Sequence, residues 1–130
     1  MKKILILFSF VLAMTAQTNA QTIFDSWPEL KAFHSVMSDT FHSAEEGNLN
    51  RIKQKSAELT AKASKMQNSL IPKAYKTPAI KASIEKLYME SKVLDQQVKS
   101  KEKDAVILKS LTALHDRFHE IVGLCREKNH

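Results

Sequence analysis

Histidine is the residue type in this chain best suited to chemistry, and its spacing is informative. Five histidines occur in 130 residues, at positions 34, 42, 115, 119 and 130. His115 and His119 are four apart, so on a helix their rings stand one above the other on a single ridge. That spacing suits chelation of a divalent transition metal. Imidazole is neutral near pH 7 and a good σ-donor, whereas lysine would bind only as a costly free base. At about 100° per residue, His34 lies about 60° from Met37, the centre of its segment's apolar face, and His42 about 140° away. Measured from Phe118, His115 lies about 60° off and His119 about 100° off in the same rotational sense.

If the two faces converge, His34, His115 and His119 form a three-imidazole site with Met37 beside it on the core seam. Three imidazoles and a water suit zinc, and an added thioether shifts the preference towards copper. Asp116 and Glu120 are placed to orient the rings from behind. Whether the faces converge depends on the handedness of the packing, which the sequence leaves open. The other reading makes His34 a half-buried core-edge residue and His115 and His119 flanking residues of an amphipathic helix. His42 with Glu45 or Glu46 reads first as a solvated helix end, and Cys125 as a small buried hydrophobe whose alternative role is a soft ligand or an intermolecular bridge. Trp27, Phe33, Phe41 and Phe118 read as core. There is no nucleophile–base elbow and no paired Glu-x-x-His, so an enzyme is not expected.

Four helical segments must position these residues. The first spans about 26–46: Ser26 and Glu29 have capping-box spacing, Leu30, Phe33, Met37, Phe41 and Ala44 form its apolar stripe, and Gly47-Asn48 stops it. The second spans about 50–70, with Ile52, Ser56, Leu59, Ala63, Met66 and Leu70 on one face. Thr77-Pro78 caps and opens the third, 78–99, whose stripe includes Ile80, Ile84, Leu87, Ser91, Leu94 and Val98. The fourth, 103–127, carries Ile107, Leu111, Leu114, Phe118, Ile121 and Cys125. Alternating three- and four-residue steps with short connections predict an all-α, up-down-up-down antiparallel four-helix bundle. The small residues Ser56, Ala63 and Ser91 favour close approach of the second and third helices.

Composition agrees and excludes other classes. One cysteine rules out an intramolecular disulfide framework, a four-cysteine zinc knuckle and a c-type haem attachment pair, and two glycines leave no room for a Rossmann fingerprint or phosphate loop. Lys2 and Lys3, the apolar run from Ile4 to Met14 and Thr18-Asn19-Ala20 have the layout of a bacterial secretory signal cleaved after Ala20. The expected mature domain is then 21–130, periplasmic or secreted, with no stable membrane anchor, since the run falls short of the ~20 residues a spanning helix needs. Losing Lys2 and Lys3 takes the net charge from +6 to +4, which reads as a lysine-rich helix surface. Nucleic acid is not an expected partner, because no aromatic–basic stacking pattern occurs. Arg51, Lys53 and Lys55 are the basic group open to an acidic partner.

The closing stretch Leu111-Thr112-Ala113-Leu114-His115-Asp116-Arg117-Phe118-His119 resembles the last helix of the cytochrome b562 family, with cytochrome c′ as a more distant relative. The resemblance covers most of the mature chain and implies a b-type haem electron carrier. It would make His119 an axial haem ligand. The family's second ligand, a methionine early in the first helix, falls at Phe33 or His34 with Met37 nearby. The resemblance therefore implies haem b held by His34 and His119, or by Met37 and His119, against Phe33 and Phe118. The three expectations are an exported non-enzymatic bundle binding zinc or copper, a haem carrier, or a ligand-free protein-interaction bundle whose partner is unknown.

Overall fold

Proline in a first turn, a threonine cap and a glycine stop mark helix ends in this chain. A computed structural model describes residues 23–127; the proposed signal segment 1–20 and His130 lie outside the described residues. Four long helices follow one another: α1 (Pro28–Glu45), α2 (Asn50–Asn68), α3 (Pro78–Lys99) and α4 (Asp104–Glu127), with a 3-10 turn at Lys73–Tyr75 between α2 and α3. Residues 23–26 are helical as well, and no strand occurs among the described residues. The protein is all-helical, and among the described residues no helix is long and apolar enough to cross a membrane.

Local chemistry explains both ends of α1 and the start of α3. The Ile80 amide donates to Thr77 Oγ1 over 3.2 Å, capping α3, and Pro78 occupies its first turn. Gly47 takes φ +88°, the left-handed conformation that ends α1 at low steric cost. Two expectations need correction. Ser26 and Glu29 do not form a capping box: Trp27 is the N-cap of α1, without a side-chain cap bond, and Ser26 Oγ donates to the Ile23 carbonyl. The chain is already helical over 23–26, so the break comes at Trp27, where Pro28 follows. Leu70 is 86% exposed rather than in the core, because α2 stops at Asn68 and the helical period no longer governs it. The turn before α4 places Lys101 at φ 58°, a left-handed residue that is not glycine and that its sequence does not announce.

The predicted stripes otherwise converge on one core. Leu30, Phe33 and Met37 of α1 meet Ile52, Leu59 and Met66 of α2, Ile80, Leu87 and Leu94 of α3, and Leu111, Leu114 and Phe118 of α4, all buried. Trp27 is fully buried and stacks on Tyr75 of the 3-10 turn at 6.0 Å, which ties the start of α1 to the α2–α3 connection. Consecutive helices pack on one another, and α1 also packs on α4. The order of contacts is reversed wherever it can be read. Ser56 and Thr60 of α2 bond Asp95 and Ser91 of α3, and Ser83 and Glu90 of α3 bond Glu120 and Arg117 of α4.

Candidate metal site on the first and last helices

Aromatic and imidazole rings line the seam between α1 and α4. Phe33 and His34 of α1 stack on Phe118 of α4 with centroids 5.5 and 5.4 Å apart, and Phe41 stacks on His115 at 3.8 Å. Phe24, just ahead of α1, stacks on His34 at 4.7 Å and on Phe118 at 6.5 Å. The rotational offsets of His34 and His115 therefore converge on the shared interface rather than turning apart. This is the choice that helical spacing alone left open.

The closest pair of donors is His115 and His119. Their Nε2 atoms lie 3.1 Å apart, with the rings close to perpendicular at 73°. Between neutral rings this is a hydrogen bond in which one Nε2 donates and the other accepts. Burial first, and then the neighbouring His119, push His115 below the ordinary imidazole range, while Asp116 and Glu45 pull the other way. A ring kept neutral keeps a lone pair available near pH 7. Asp116 Oδ1 is 3.9 Å from His115 Nδ1, on the opposite side of the ring from the Nε2 pair.

The other expected donors are placed differently. Burial, followed by the nearby His119 and His42, pushes His34 below the ordinary imidazole range, and its ring packs in the Phe24–Phe118 group. Met37 is only 1% exposed, a core residue. Among the described residues, no three His, Cys, Asp or Glu side chains group to hold a metal ion. His42 is exposed, with its Nδ1 3.5 Å from Glu45 Oε1, as a solvated helix end should be. Cys125 is enclosed in the core, and burial pushes its thiol up to about 11, so it stays protonated at neutral pH.

Glu120 does not orient a ring. It accepts from Ser83 Oγ and from Arg117, whose guanidinium also grips Glu90 with Nε and Nη2 at 3.0 and 2.9 Å. The basic group on α2 is largely matched within the chain: Arg51 and Lys55 both bond Asp39 at 3.1 Å, and Lys53 bonds Asp104 at 2.7 Å. The sequence marked Phe41 only as core and Phe24 not at all, so neither stood out as a ring partner of the histidines. The i,i+1 placement of Phe41 before His42 carries no sign of that role, because stacking on His115 depends on the α1–α4 register.

No family model, curated protein or solved structure matches this chain.

Proposed function

We propose that this chain is an exported, non-enzymatic, up-down-up-down antiparallel four-helix bundle that binds zinc or copper through His115 and His119 of α4. The observation that carries the reading is the His115–His119 pair. Two Nε2 atoms 3.1 Å apart, each about 2.05 Å from a metal, subtend about 98° at it. That lies between octahedral and tetrahedral angles, and widening to the tetrahedral value needs a separation of only about 3.3 Å. Support for the antiparallel topology comes from the reversed order of contacts between α2 and α3, between α3 and α4, and between α1 and α4. Export rests on the basic, apolar and small-residue layout of residues 1–20.

A metal ion needs less rearrangement than haem. A porphyrin between His34 and His119 requires the Phe118 ring, stacked on His34 at 5.4 Å, to move aside. An ion at the Nε2 pair displaces one shared proton onto Nδ1 and leaves the core intact.

Calorimetric titration of the metal-free chain with zinc(II), and separately with copper(II), tests the reading. His115→Ala and His119→Ala each weaken binding at least about tenfold, or 1.4 kcal/mol, while His42→Ala matches the parent. Parent-like affinity in His119→Ala, or no binding by the parent, overturns it.

A further inference from the structure

We propose that the His115–His119 pair is half of a shared site, and that a divalent transition metal bound there joins two copies of this chain. The inference rests on the metal reading above and adds the partner. Zinc and copper sites of this donor type hold about four ligands, and the pair supplies two. The chain's other candidates are held in other contacts. Asp116 lies behind His115 on the Nδ1 side, His34 is held among Phe24 and Phe118, and no third His, Cys, Asp or Glu joins the pair among the described residues. His119 is exposed, so an ion on the pair has its remaining positions open to the outside. The same pair from a second copy, related by a two-fold axis through the ion, completes four imidazoles with one self-complementary patch.

The surroundings of the pair favour the approach of another chain. Ala105, Leu108, Thr112, His115 and His119 follow one another in steps of three and four, a second seam of α4 about 100° round from its core seam. Leu108 is 39% exposed, and with Ala105, Lys109, Thr112, Ala113 and Asp116 it forms a shallow, open stretch of α4 surface beside the pair. One turn beyond His119, on the same ridge, stands Gly123, inside α4. A glycine there costs roughly 1 kcal/mol relative to alanine. Among the described residues nothing requires it, because a Cβ at Gly123 would meet no atom within 4 Å. Close approach by a partner's helix next to the metal gives that glycine a reason.

Analytical ultracentrifugation of the metal-free purified chain, titrated with zinc(II) and separately with copper(II), decides the matter. The expected result is a doubling of mass that is complete at one ion for every two chains, reversed by chelator and absent in His119→Ala. Gly123→Gln keeps both imidazoles and the helix; it retains metal binding but weakens metal-linked dimerisation at least about tenfold. A monomer holding one ion per chain overturns the shared site while leaving the metal reading standing. A chain that binds neither ion overturns both. Dimerisation equal to the parent in Gly123→Gln removes the close-approach argument, and a dimer that persists in chelator shows that the ion does not join the copies.

Discussion

The α1–α4 seam and the α2–α3 seam are built from opposite materials. Between α2 and α3, beside the aliphatic core, small and hydroxylated residues make polar contacts across the seam. Thr60 Oγ1 reaches across to the Ser91 carbonyl at 3.0 Å, and Ser56 Oγ donates to Asp95 Oδ1 at 2.7 Å. A threonine hydroxyl touching the neighbouring backbone means that the two helices lie close, as the small residues led us to expect. Asp95 is held from its outer side by Lys99 at 2.8 Å, so the polar contacts of this seam end within the chain. Between α1 and α4 the facing residues are large rings, and His115 and His119 finish the row at the surface. One seam closes on itself and sets register. The other ends at the surface on two imidazoles 3.1 Å apart, which is where the proposed metal would sit.

Three measurements sharpen or break this contrast. The largest effect is expected at Phe118, whose ring meets Phe24, Phe33 and His34. Phe118→Ala lowers unfolding free energy by about 3–5 kcal/mol in denaturant titration, and a loss below about 1 kcal/mol would show that the ring cluster is not a structural element.

Asp95→Ala comes next, at about 1–3 kcal/mol, because it strands the buried Ser56 hydroxyl and frees Lys99. Burial alone would raise the Asp95 carboxyl, but the bonds from Lys99 and Ser56 outweigh it and hold the group below its ordinary range. A carboxylate depressed in the fold stabilises above its unfolded pKa of about 3.9, and that contribution disappears as pH falls through the lower folded value. The gap between parent and Asp95→Asn should therefore narrow in acid below about pH 4. A gap independent of pH would show that the charge is immaterial to the seam.

The smallest effect is Thr60→Val, about 0.5–1.5 kcal/mol, since the methyl keeps the packing and only the hydroxyl bonds to the Ser56 and Ser91 carbonyls are lost. Metal affinity is unchanged in that variant if the two seams are independent. A parallel loss of metal affinity would show that they are coupled.

Much of the fold is legible in the residue order because helix formation is local. The stripes of α3 and α4, the Thr77-Pro78 start and the Gly47 stop depend on neighbours within a turn or two. Where local rules misled, a local event outside their scope was responsible. The early helical turn at 23–26 displaced the Ser26 cap, and the end of α2 at Asn68 released Leu70 from its stripe. The candidate site was legible only in part. The i,i+4 relation of His115 and His119 is a property of one helix and can be read directly, but the partners of their rings come from another.

Periodicity thus determined which residues share a face of each rod, and with it the helical content, the core and the imidazole ridge. It is blind to the sense in which two rods are set side by side, because a stripe looks the same whether its flanking residues turn towards a neighbour or away from it. Tertiary packing made that choice, bringing Phe41 onto His115 and His34 onto Phe118 while leaving the Nε2 atoms of His115 and His119 together at the edge. The physical reason is that side-chain volume and chain connection select one handed arrangement of the helices, and only that arrangement decides which rings meet.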